Sequence, residues 1–189
     1  MIKRPLIKPT VIVPDTAPLI HLAAGDALGL LTAMGPVIVM DVVELEATVP
    51  GKPYAKEITA WLDAAKKAGS NALTIADTEL GPVYRLAQEQ GIRKPRHAGE
   101  IAITEWLSDH LRVIGGPALV VYENGRVPLM LTREGVDAPV AVATTRNFLE
   151  LAEEQGIIPD AAALWAKIIA AAPTANAANT LTFIKPSAP

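Results

Sequence analysis

Four carboxylates carry the chemistry open to this chain. Asp15 closes the β-branched run VIVPD and Glu123 closes ALVVYE, so both fall at the ends of strand-like segments. Glu46, in VVELEAT, and Glu100, in AGEIAI, fall inside short apolar stretches of helical pattern, where an acid is unusual. A half-buried carboxylate with no cation beside it is costly. A cluster is worse, because like charges in one site cannot all ionise without a counter-charge. A divalent cation removes the conflict. Hard ions such as Mg2+ and Mn2+ prefer oxygen ligands, and Mg2+ usually takes one or two carboxylates plus waters. Glu44 and Glu46 lie two residues apart, so on a helix they point about 200° apart and only one can face the site. Two plainer readings stand beside this one: the four acids are unrelated surface groups, or Asp15 is only a cap or turn residue.

The elements that must position these acids follow from pattern. Val11–Val13 reads as a strand, with Thr16 as N-cap of a helix to about Ala24. A short helix over Ala27–Ala33 ends at Gly35-Pro36, and VIVM (Val37–Met40) is a second buried strand. Asp41 caps a short helix over Val42–Thr48, and Pro53–Ala68 is an amphipathic helix with Ile58, Trp61, Leu62 and Ala65 on one face. ALTIA (Ala72–Ala76) is strand-like, and Asp77-Thr78 can cap a helix over Glu79–Gln90. The basic segment IRKPRH reads as a loop before a helix over Ala98–Leu111, and ALVVY (Ala118–Tyr122) is a central-strand candidate. Val127–Leu131 fits either a strand or a short helix, which periodicity does not separate in so short a run. VAVA (Val140–Ala143) is the last strand expected. Thr145 begins a helix to about Gln155, and Asp160 caps a final one to about Ala171. Alternation of strand and helix predicts an α/β fold with a parallel sheet. Ligands bind such sheets at the carboxyl ends of the strands, where loops and helix N-termini collect.

The composition agrees with helices packed on a buried sheet. Half of the 189 residues are hydrophobic and few are aromatic, which suits a single domain with a sizeable core. There is no cysteine, which excludes disulfides and thiolate metal sites. No apolar run approaches bilayer length, and MIKRPLIKPT lacks a signal-peptide core, so a cytoplasmic protein without membrane attachment is expected. The net charge of −3 gives no overall basic footprint for nucleic acid, which leaves room for a local basic patch or for an acidic pocket. From Pro173 the composition shifts to Ala, Pro, Asn, Thr and Ser. We expect one domain over 1–172 and, over 173–189, a tail with little structure of its own.

Taken in order, these segments resemble the PIN domain, the nuclease fold of many VapC-type toxin ribonucleases. VIVPDTAPLIHLA resembles its opening strand, catalytic Asp and following helix. VIVMDVVELEAT resembles the second strand and the helix bearing the second acid, which lies six residues after the strand-end position of Met40 and so selects Glu46 over Glu44. RHAGEIAI resembles the segment carrying the third acid, here Glu100. ALVVYENGRVP resembles a variant branch in which a strand ends in Glu-Asp with another Asp following, and VAVATTRNFLELAEEQGIIPDAAAL resembles the Thr-Thr…Phe-Leu segment of that branch. The likeness covers about residues 11–165. It implies a PIN-like three-layer sandwich with a mainly parallel central sheet. It also implies a metal-dependent endoribonuclease, the toxin of a toxin–antitoxin pair with a cognate antitoxin protein, RNA as substrate and a homodimeric assembly.

In that reading Asp15, Glu46 and Glu100, with Glu123 or Asn124, hold one or two Mg2+ or Mn2+ ions. Thr16 and Thr145 support the ligands or meet phosphate oxygens, although helix capping is the plainer role, above all for Thr145. Arg93, Lys94, Arg96 and His97 bind the RNA backbone or form an ordinary solvated loop. The chain departs from the pattern at Asn124 and Arg126, where the branch carries acids. Asn ligates through its carbonyl without charge, and an arginine weakens cation binding or contacts phosphate. His21 and His110 read as ordinary helix residues. Two alternatives stay open: a catalytically weakened PIN-fold protein that binds nucleic acid or a partner, and another Mg2+-dependent doubly wound domain of response-regulator or phosphatase kind. No glycine-rich nucleotide loop is present.

Overall fold

The computed structural model describes residues 8–67, 71–123, 126–133, 139–172, 175 and 181–184. Among them the chain alternates strand and helix. The strands are β1 (Val11–Pro14), β2 (Val37–Met40), β3 (Leu73–Ala76), β4 (Ala118–Val121), β5 (Val140–Ala143) and β6 (Leu181–Ile184). The helices are α1 (Thr16–Ala24), α2 (Gly29–Met34), α3 (Asp41–Ala47), α4 (Ala55–Lys67), α5 (Leu80–Glu89), α6 (Ala98–Ile114), α7 (Arg126–Arg133), α8 (Thr145–Glu154) and α9 (Ala161–Ala171).

The sheet order is β3-β2-β1-β4-β5-β6. Strands β1 to β5 are parallel, and helices flank the sheet in a three-layer α/β sandwich. The apolar runs VIV, VIVM, ALVV and VAVA are what a parallel sheet covered on both faces demands, since neither face meets water. Ile12, Leu119, Leu19, Leu22, Ile103 and Phe148 are fully buried in the resulting core, and each such side chain contributes about 1.5–3 kcal/mol.

The topology decides where a ligand can sit. From β1 the chain steps outward through β2 to β3, then returns to lay β4 on the other side of β1 and continues to β5. The direction therefore reverses between β1 and β4, and the connections leaving these two strands part company at their carboxyl ends. That divergence opens a crevice. Asp15 follows β1 directly, and its N–H still donates to the Val121 carbonyl of β4 at 2.9 Å. Tyr122 N–H donates to Ala143 of β5 at 2.9 Å, so Glu123 is the next residue beyond the ladder. Both acids are held at the crevice by the last bonds of the sheet.

The structure settles one open alternative and changes several expectations. The run at Val127–Leu131 is helical, within α7, with Val127 and Leu131 buried one turn apart. VAVA is not the last strand, and the tail is not without structure: Leu181–Ile184 pairs antiparallel with β5, Val140 opposite Ile184 and Ala143 opposite Leu181. An uncovered β5 would present a row of unpaired N–H and C=O groups. The LTFI run, the one β-prone segment of the tail, covers them. Elsewhere the helix limits shift by up to three residues, by one or two at α4 and by three at the end of α6. Asp77-Thr78 does not cap α5, whose N-cap is Glu79 without a side-chain bond. Thr78 instead donates to the buried Asp41 carboxylate at 2.7 Å, which also accepts from Val42 N–H at 2.8 Å.

Candidate active site

Asp15 takes two roles at once. It is the N-cap of α1, its Oδ1 accepting from Thr16 N–H at 2.8 Å. Capping thus belongs to Asp15, not to Thr16, because the extended backbone of Asp15 (ψ 172°) leaves its carboxylate beside the first helical N–H. Freed from that task, the Thr16 hydroxyl donates to Glu46 Oε2 at 2.9 Å. One residue therefore ties together the carboxylates at the end of β1 and on α3. Glu44, on the other side of α3, pairs with Lys66 of α4 at 2.7 Å and takes no part.

Helix α6 brings the third acid. Glu100 lies in its first turn and is buried, and an acid there is favoured by the partial positive charge of the helix N-terminus. The preceding Gly99 faces the other acids: a methyl group at its α-carbon would lie 3.2 Å from Asp15 Oδ1, 3.5 Å from Val43 and 3.8 Å from Glu46 Oε2. Hence the oxygens of Asp15 and Glu46 lie within 4 Å of one point at the α6 start. A side chain at position 99 would crowd that point.

Glu123 completes the group. Its Oε1 accepts from Thr145 N–H at 3.0 Å and from the Thr145 hydroxyl, and stands 3.2 Å from His21 Nδ1. Its Oε2 is buried with no hydrogen-bond partner among the described residues. Thr145 is not the cap of α8. Thr144 is, accepting from Asn147 N–H at 3.4 Å, which leaves Thr145 to serve Glu123.

The electrostatics follow from this gathering. Burial, and then the nearby charges of Glu100, Glu46 and Glu123, push the Asp15 carboxyl up to about 7, against the opposing Thr16 N–H bond. Tyr84, buried and close enough to Glu46 to feel its charge, is pushed up to about 12. Tyr122 is raised by burial and by Glu123.

Lys94 Nζ lies 4.8 Å above the Tyr84 ring, a cation–π contact that sets the loop before α6 close to Glu46. Arg93, Arg96 and His97 are exposed. His97 adopts a left-handed backbone (φ 58°) at the N-cap of α6, and its Nδ1 stands 3.5 Å from Glu100 Oε1. Arg126, at the start of α7, contacts the His97 ring, 3.1 Å from Nδ1 and closer to Nε2. A guanidinium only donates, so a ring nitrogen of His97 accepts in this contact. Asn124 lies outside the described residues. His110 stacks on Trp106 away from the acids, 4.7 Å between ring centres.

His21 is the residue whose role the sequence did not disclose. It is buried on α1, edge-on to Trp165, with its Nδ1 at Glu123. The available signal was a lone polar ring in the otherwise apolar run PLIHLAA.

The acids are gathered but not closed. Among the described residues no group of three or more Asp, Glu or His side chains could hold a metal ion as it stands. The donor set nevertheless suits a hard cation: its carboxylates carry only oxygen, and one buried oxygen has no partner among the described residues. A concavity of about 640 Å3 opens elsewhere, beside Pro50, Tyr54 and Lys56, without any of the four acids in its lining. Its lining has no buried charge to resolve, whereas the strand-end crevice does. In comparisons with known proteins, no family model matches the chain, and neither a curated protein nor a solved structure is significantly similar to it. Among the described residues no helix is long and apolar enough to cross a membrane.

Proposed function

We propose that the protein is a metal-dependent ribonuclease of PIN kind, acting through Asp15, Glu46, Glu100 and Glu123. The observation that carries this reading is the gathering of acids at the β1/β4 crevice: burial, and then the charges of Glu100, Glu46 and Glu123, push Asp15 up to about 7, and Glu123 Oε2 is buried with no hydrogen-bond partner among the described residues. Four acids that share one crevice suit a bound cation, which relieves their mutual repulsion.

In this reading Asp15, Glu46, Glu100 and Glu123 hold Mg2+ or Mn2+. When bound, the cation supplies Lewis-acid polarisation of the phosphodiester and lowers the pKa of the attacking water. The protein's own groups do the rest. Thr16 fixes the relative placement of Asp15 and Glu46, and His97 steadies Glu100. Arg126 and the loop of Arg93, Lys94 and Arg96 meet the phosphates of the flanking strand, offsetting the repulsion between RNA and an acidic crevice. Asn124 adds a neutral oxygen at most. Cleavage is therefore slower than with the full acidic set, and a protein that binds RNA while cutting weakly is the limiting case. A toxin role with a cognate antitoxin, a homodimeric assembly and a cytoplasmic setting are parts of the same proposal.

The test is incubation of the purified protein with a mixed RNA pool in Mn2+ and in chelator. Cleavage in Mn2+ alone, lost in Asp15→Asn, is expected. Cleavage that persists in chelator or in Asp15→Asn rejects this site, and binding without cleavage in any metal selects the weakened, binding-only form.

A further inference from the structure

We propose that His21 is a positioning residue which, together with Thr145, holds Oε1 of Glu123 so that Oε2 is presented as the ligand atom; this rests on the cation-site reading above. The observation is the uneven supply of donors to one carboxylate. Oε1 receives Thr145 N–H at 3.0 Å, the Thr145 hydroxyl and His21 Nδ1 at 3.2 Å. Oε2, also buried, receives no hydrogen bond from any described residue. An orphaned buried acceptor costs about 1–3 kcal/mol, and a carboxylate with only a structural role would relieve this by rotating to share its donors. Three donors from two elements, α1 and the start of α8, oppose that rotation.

The ring is placed for this role. His21 and the Glu123 side chain are 6% and 8% exposed, so water competes little for either. A carboxylate only accepts, so Nδ1 must carry the hydrogen that faces it. Trp165 lies edge-on to the ring with 6.4 Å between centres and restricts its tilt. A group that orients a ligand in this way tunes affinity without touching the ion.

The test is Mn2+ titration of the full chain by electron paramagnetic resonance, with melting in chelator alongside. The variants are His21→Leu, His21→Asn, Thr145→Val and, as a reference, Asp15→Asn. His21→Leu should weaken Mn2+ binding about 10–100-fold. His21→Asn, whose amide nitrogen falls near the Nδ1 position, should restore most of it, and Thr145→Val should weaken it. Should His21→Leu fail to fold, His21→Asn and Thr145→Val still decide: retained binding in the first with loss in the second is expected. Wild-type affinity in His21→Leu, or in Thr145→Val, overturns the proposal. So does equal loss in His21→Leu and His21→Asn with equally lowered melting temperatures, which marks a packing role. If Asp15→Asn loses binding and His21→Leu does not, only the positioning role falls. If the wild type binds no Mn2+, the cation site falls and the positioning role with it.

Discussion

The Thr16 hydroxyl donates to Glu46 Oε2 at 2.9 Å, joining residues 30 apart in sequence. The bond locks the start of α1 to α3, and with the Thr16 N–H to Asp15 it fixes two carboxylates relative to each other. Thr16→Val removes the hydroxyl and leaves Glu46 without this donor, at a cost of about 1 kcal/mol. Thr16→Ser keeps the donor and should behave like the wild type. Urea unfolding checks the stability, and Mn2+ affinity should fall in the valine variant only.

Asp15 sets a pH dependence whose sign is unusual for an acid. Its folded pKa of about 7 lies above the ordinary value of 3.8, so between those values the folded state binds the proton more tightly. The stabilisation is complete below pH 4 and is lost as pH rises toward 7, by an amount on the order of a few kcal/mol. In chelator, the melting temperature should decline over this window. Asp15→Asn keeps an oxygen for the Thr16 N–H and removes the charge, so it should flatten the decline and be the more stable protein at pH 8.

Two glycines should respond differently to a methyl group. At Gly81 it would overlap the buried Asp41 carboxylate where α5 meets α3, so Gly81→Ala should destabilise by about 1–3 kcal/mol or more. At Gly99 it would come 3.2 Å from Asp15 Oδ1 within a helix that alanine favours. Gly99→Ala should therefore leave the melting temperature near that of the wild type while lowering Mn2+ affinity, because it narrows the space between Asp15 and Glu46.

Arg126 places a cation against His97, on the Glu100 side of the crevice. Arg126→Asp combined with Asn124→Asp should tighten Mn2+ binding and raise RNA cleavage, since hard cations gain from each added anionic oxygen. If the wild type cuts RNA well and both replacements slow it, Arg126 acts as a phosphate clamp.

The sheet was legible because its strands are short unbroken apolar runs, and VIVM or ALVV has little alternative to a buried parallel strand. The strand-end positions of Asp15 and Glu123 came with it. Helical geometry limits Glu44 and Glu46 to one of the pair, and it was the resemblance to the PIN pattern that selected Glu46. What pattern does not carry is pairwise contact. Whether Asp15 or Thr16 caps α1 depends on a single ψ angle. Thr144 and Thr145 are equivalent in sequence until α8 is placed against Glu123. His21 finds Glu123 across 102 residues of chain, and no periodicity reports that. The β6 strand escaped for another reason: four β-prone residues lie in an Ala- and Pro-rich stretch, and it is the open edge of β5 that gives them a partner.

That the four carboxylates form one cation site is tested most directly by thermal unfolding in Mn2+ against chelator at constant pH. Binding to the folded state alone should stabilise it, by about 2.7 kcal/mol at a free metal concentration one hundred times the dissociation constant. The melting temperature of the wild type should rise accordingly, and Asp15→Asn should show no rise. Superimposable wild-type curves up to millimolar Mn2+ would contradict the account, as would an undiminished rise in Asp15→Asn.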